Sequence, residues 1–276
     1  MTQILFRVTA VALVSLPLLA QWPEVKTKGV PATRDGKPNL NAPAPKMADG
    51  KTPNLSGVWV SEKTPCLDTL FCEDAPDGIP LGFIDVSATS REEWASGVKG
   101  GLPYTPWAAD LMKQRKEKDD PRVRCLPISA VEHWWTFHPQ KMIQTEESLT
   151  LLNEFMAQFR QIFLDGRPLP KDPFPNFKGY SVGHWEGDTL VVETIGYKDG
   201  LWLDAKGNPL TESARTIERI RRPNYGSLEI QITVEDPKAY TKPWTITRRH
   251  TIALNTELID YICNENEKDL AHLVGR

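Results

Sequence analysis

The sequence predicts a mainly β fold: an antiparallel up-and-down meander closing into a barrel, with an irregular insert and one short helix. Three observations predict it. From about residue 140 onward, short apolar segments recur at regular spacing with turn formers between them. One segment alternates strictly, with Leu228, Ile230, Ile232 and Val234 on one face and Glu229, Gln231, Thr233 and Glu235 on the other. Finally, 23 prolines and nine tryptophans in 276 residues suit a loop-rich, aromatic-rich β protein better than a helical bundle.

The elements follow in order. Residues 1–20 read as a signal peptide: Arg7 precedes an apolar run from Val8 to Ala20, too short to span a bilayer. Residues 21–55 read as a Pro-rich linker with two similar phrases, Asp35-Gly-Lys-Pro-Asn-Leu40 and Asp49-Gly-Lys-Thr-Pro-Asn-Leu55. The single barrel-like domain then spans 56–276, opening with a strand at Ser56–Val60 and carrying the irregular insert at 61–140. In that insert Thr105 is a candidate N-cap and Pro106 a first helical residue, for a helix running to about Lys118. Further strands are expected at 141–145, 179–186, 189–197, 214–222, 227–235, 244–254 and 257–263. Between them, Glu186-Gly-Asp188 and Asn224-Tyr-Gly226 carry turn chemistry.

One segment is ambiguous. Leu152, Phe155, Met156, Phe159, Ile162 and Phe163 fit a helical period, yet the neighbouring strands favour a hairpin of 149–155 and 159–165, and the hairpin is preferred.

Composition narrows the function classes. A charge of −3, or −4 once Arg7 leaves with the leader, argues against nucleic acid as a partner. No apolar run after the leader reaches membrane length, so a periplasmic or secreted protein without membrane insertion is expected. In an oxidising compartment, Cys66, Cys72, Cys125 and Cys263 suggest two disulfides. The favoured pairing is Cys66–Cys72 and Cys125–Cys263; no C-x-x-C or matching His pair points to metal, and no cofactor motif appears.

Several phrases carry a resemblance. Asn54-Leu-Ser-Gly-Val-Trp59, Leu102-Pro-Tyr-Thr-Pro-Trp107, Asp165-Gly-Arg-Pro-Leu-Pro-Lys-Asp172, the run Gly179–Thr194, the run Asp236–Trp244 and the run Tyr261–Asp269 cover most of 54–269. On them the chain resembles a family of uncharacterised exported proteins of environmental, chiefly soil, bacteria, which implies export but no particular reaction. Gly57-Val-Trp59, opening the first strand, also resembles the start of lipocalin-like (calycin) barrels. That likeness implies a cup for a small apolar ligand.

The candidate site residues fall into three groups. His184 shares a strand face with Tyr180 and Val182 and adjoins Trp185. Turned inward, it can act as general acid or base with Glu193 of the next strand. Glu132-His-Trp-Trp-Thr-Phe-His138 offers His133, Trp134, Trp135 and His138 as the wall or lid of a pocket. Arg160 and Glu218, paired inside a barrel, can bind a carboxylate or polarise a carbonyl. Each group also has a plain structural reading, as a cross-strand histidine, as packing, or as surface ion pairs. Arg219-Ile-Arg-Arg222 reads as a solvated basic run. The leading expectation is an exported protein binding a small hydrophobic or aromatic molecule in the barrel. A hydrolase, lyase or isomerase using His184 in the same cup, and a cell-envelope interaction module, are the alternatives.

Overall fold

A computed structural model describes residues 25–64, 79–80, 101–136, 138–204 and 207–265. Of the described residues, 38% are strand and 11% helix. Nine strands close into one barrel: β1 (Gly57–Ser61), β2 (Gln140–Gln144), β3 (Ser148–Asn153), β4 (Gln158–Phe163), β5 (Tyr180–Glu186), β6 (Thr189–Ile195), β7 (Arg215–Asn224), β8 (Ser227–Glu235) and β9 (Trp244–Ile252). Every sequence neighbour is a spatial neighbour, and β1 closes the ring against both β9 and β2.

The expected all-antiparallel meander needs one correction. Directions cannot alternate all the way around an odd ring, so one neighbouring pair must run parallel. That pair is β4 and β5, in register at Ile162 with Ser181. Residues 164–179 make the return, because parallel strands cannot share a tight turn. An eight-stranded lipocalin has no such step; here the likeness rests on the first strand. Trp59 is fully buried, its Nε1–H donates to Leu55 O (3.0 Å), and the Arg222 guanidinium lies 4.8 Å over its ring. Arg222 also donates to Asn54 O (2.7 Å) and Tyr225 O (2.6 Å), so it is a buried clasp and not part of a solvated run. Gly57 has φ +150, a conformation that side chains rarely adopt.

The ambiguous segment is the hairpin β3–β4. Met156 and Ala157 take positive φ in its turn, and the inward residues Leu149, Leu151, Asn153, Arg160 and Ile162 alternate as a strand pair requires. The expected strand at 257–263 does not form: residues 253–262 run irregularly along the outside, where Glu257 meets Lys141 (2.5 Å) and Ile259 N donates to Glu154 (3.0 Å).

The described part of the insert holds one α-helix and three 3₁₀ turns, Glu117–Asp119, Pro121–Arg124 and Glu132–Trp134. Its helix α1 (Pro106–Gln114) is capped as expected, with Thr105 Oγ1 accepting from Ala108 N, but it ends a turn earlier than read. Residues 25–55 do not stand off as a free linker. Tyr225 N and Gly226 N donate to Ala42 O and Leu40 O (both 2.8 Å), and Leu55 is buried. The Cys125–Cys263 disulfide is formed, joining positions 138 apart. The other expected pairing, Cys66–Cys72, and the leader lie outside the described residues.

Candidate functional site

Alternation decides which side chains enter the barrel. Inward residues of β7, β8 and β9 include Thr216, Glu218, Ile220, Leu228, Ile230, Ile232, Arg248 and His250. On β5 the inward residues are Ser181 and Gly183. A Cβ on Gly183 would come within 2.9 Å of Leu164 and 3.1 Å of Leu190.

That register turns His184 outward, correcting its expected place. Its side chain is 59% exposed, with Nε2 3.3 Å from Glu186 Oε1. Glu193 also lies on the outer face, held by Arg215 at 2.6 Å. The two do not converge on an interior site. Trp185, one residue along from His184, packs against the core.

The pair Arg160–Glu218 does form inside. Arg160 donates to both carboxylate oxygens, Nη1 to Oε1 at 2.9 Å and Nη2 to Oε2 at 2.5 Å. Its remaining contacts are Ser181 Oγ (3.1 and 3.3 Å) and Thr194 Oγ1 (2.9 Å). Trp134 Nε1–H adds a third donor to Glu218 at 2.5 Å. Burial alone would favour a neutral arginine. The adjacent carboxylate outweighs it and holds the guanidinium pKa above its ordinary value. Each nitrogen of Arg160 has a partner, so the pair offers a ligand a rigid wall rather than a spare charge.

Residues 132–136 plug one end of this barrel. Trp134 and Trp135 are buried; Trp134 meets His250 edge-on (5.7 Å between rings), and the Arg248 guanidinium lies 4.5 Å over Trp135. Ser61 Oγ, facing in from β1, donates to Thr136 O (2.9 Å) and contacts His250 Nε2 (3.2 Å). Asn153 Nδ2 donates to Thr136 Oγ1 (3.0 Å), fixing the plug to β3. His138 lies apart from this interior, against Glu154, Phe155 and Tyr261.

Burial and the Arg248 charge push the His250 pKa down to about 3, and burial lowers Arg248 to about 9. His133, fully buried, is likewise held neutral. At the outer side of the plug Glu132 is pushed up to about 7 by burial, although Arg122 stands 3.1 Å away. The cleft beside Glu132 has about 10 Å³ of room, enough for one water and no substrate.

Buried polar atoms of this end without a hydrogen-bond partner include both ring nitrogens of His133, Trp135 Nε1, both amide atoms of Gln140 and His250 Nδ1. Gln140 pairs in register with Trp59, one rung inside Ser61. Sequence reasoning found the plug through its density of His and Trp. It missed Gln140 and His250, whose polarity reads as surface until the register turns them inward. Among the described residues no cluster of three or more metal-ligating side chains occurs.

Fold and site together define a closed β-barrel with one plugged, polar-lined end. No protein-family model matches the chain, and no curated protein matches it.

Proposed function

We propose that this is an exported protein that binds a small hydrophobic or aromatic molecule inside its barrel, and that it belongs with the exported soil-bacterial proteins whose phrases it shares. The observation that carries the reading is the plugged end: tryptophan rings beside buried hydrogen-bonding atoms that no protein group satisfies. Leaving such an atom unpaired costs about 1–3 kcal/mol, and native interiors keep few of them. Apolar walls with a small number of placed polar groups are also the usual make-up of small-molecule sites. Export is supported by the Cys125–Cys263 disulfide, and no helix among the described residues is long and apolar enough to cross a membrane.

The closed ring speaks against the interaction-module alternative. It leaves the barrel no unpaired strand edge for a partner to extend. The enzyme alternative loses its interior base with the outward turn of His184. The test is intrinsic tryptophan fluorescence of the mature protein, measured as purified and after unfolding, gel filtration and refolding. Ligand binding at Trp134 and Trp135 predicts a spectral difference that a solvent extract of the native protein reverses. Identical spectra with no response to the extract overturn the proposal.

A further inference from the structure

Residues 256–263 cross the outside of the barrel as a strap that the rest of the protein holds lightly. None of them is buried, and Ile259 and Ile262 are exposed. Among the described residues, no backbone–backbone hydrogen bond joins this stretch to any other part of the chain. Asn255 fixes its near end through two bonds with Thr27 (3.1 and 2.8 Å). Beyond that point the side-chain contacts are few. Glu257 pairs with the partly exposed Lys141, Glu154 accepts from Ile259 N, and the Tyr261 ring meets His138 and Phe155 edge-on (5.3 and 5.2 Å). Solvent-exposed ion pairs of this kind contribute little.

The far end is held by the Cys125–Cys263 disulfide. Cys125 is exposed and Cys263 half-buried, so solvent reaches the bond from the Cys125 side. Exposed disulfides are the labile ones in thiol exchange. The plug does not depend on this bond for its seat. Trp134 Nε1–H donates to Glu218 (2.5 Å), Ile128 N to Gln158 Oε1 (3.1 Å) and Asn153 Nδ2 to Thr136 Oγ1 (3.0 Å).

We propose that Cys125–Cys263 is a redox latch: a dithiol reductant opens it at Cys125 and releases the strap while the barrel stays closed. A thiolate of the reductant attacks Cys125 Sγ, the S–S bond breaks, and Cys263 leaves as a thiolate. The second thiolate of the reductant then displaces the Cys125 sulfur, and the reductant departs as its own disulfide. The dithiol loses two electrons, and the two protons it gives up end on Cys125 and Cys263. Release of Tyr261 uncovers the side of the His138–Phe155 ring stack that it covers in the latched form. This inference is independent of what the barrel binds.

The test treats the full mature chain with dithiothreitol in the absence of denaturant, then alkylates it and maps the cysteines by peptide mass. Chymotrypsin cleavage after Tyr261 reports the state of the strap. Both Cys125 and Cys263 should be alkylated with the far-ultraviolet circular dichroism unchanged. Cleavage after Tyr261 should become about tenfold faster or more once the local tie is lost. A brief exposure to glutathione, quenched with acid, should leave the mixed disulfide on Cys125. The double variant Cys125→Ser/Cys263→Ser, checked for native circular dichroism, should be cleaved rapidly with no reductant. Four results on the wild type each overturn the proposal whether or not the variant folds: a bond that opens only in denaturant, a Tyr261 site still protected after reduction, a barrel spectrum lost with the bond, or glutathione found on Cys263.

Discussion

Arg160 and Glu218 face each other inside the barrel through two parallel hydrogen bonds of 2.9 and 2.5 Å, both side chains shut off from solvent. The pair bridges β4 and β7, which are not neighbours in the sheet, and Trp134 ties the plug to the same carboxylate. One salt bridge thus fixes the barrel's cross-section and the seat of its plug.

Breaking that bridge from one side should be costly. Glu218→Leu leaves the Arg160 charge buried without its counter-ion, and a loss of about 3–5 kcal/mol is expected. The double variant Arg160→Met/Glu218→Leu should recover most of it. Urea unfolding of the two variants checks this; equal stabilities would contradict a paired, desolvated bridge.

Gly183 sits where β5 meets the core, with Leu164, Leu190 and Ile162 within 3.2 Å of any added Cβ. Gly183→Ala should therefore overpack the interior and destabilise by about 1–3 kcal/mol. On the opposite face, His184→Ala should change stability by less than about 0.5 kcal/mol and leave ligand uptake intact. Thermal melts of both, with a fluorescence titration of the second, separate the two faces.

These two positions also show where sequence reading reached its limit. Period-two alternation on β8 is legible because Leu228, Ile230, Ile232 and Val234 contrast with polar and charged neighbours. On β5 the contrast inverts. The small inward residues Ser181 and Gly183 make room for Arg160 and Leu164, while Tyr180, Val182 and His184 face out. The pattern gives the strand but not its inner face. Likewise the helical spacing of Leu152 to Phe163 is local, and the cross-strand partners of the hairpin decide against it. Arg222 and Arg248 look like surface charge because only the closed ring reveals the aromatic rings they cover.

The Cys125–Cys263 disulfide closes a loop across most of the domain. In the chain-entropy view such a long loop contributes about 5 kcal/mol at most. Replacing both cysteines with alanine should lower the urea midpoint without altering the barrel's far-ultraviolet circular dichroism. An unchanged midpoint would mean that the cross-link adds nothing to stability.

Stability should also depend on pH through His250. Its folded pKa of about 3 lies below its ordinary 6.5, so between those values the unfolded chain binds a proton that the folded one does not. The contribution is intact above pH 6.5 and is lost as the pH falls toward 3, at up to about 1.4 kcal/mol per pH unit. Glu132 acts in the opposite sense. Its carboxyl, raised from 4.5 to about 7, favours the folded state as the pH falls through that interval. Glu132 offsets part of the histidine loss between pH 4.5 and 6.5, where the neutral His133 adds to that loss, and below 4.5 the histidine loss stands alone. His250→Gln should gain on the wild type steadily from pH 6.5 down to 3, as read by chemical unfolding at several pH values. A constant difference would contradict a buried neutral imidazole.

The most direct measurement is native mass spectrometry of the mature protein, isolated gently from the cells that make it. A small molecule in the barrel predicts a discrete mass added to the disulfide-bonded chain and lost on denaturation. A bare chain mass, with fresh preparations showing no adduct, would contradict the account's central claim.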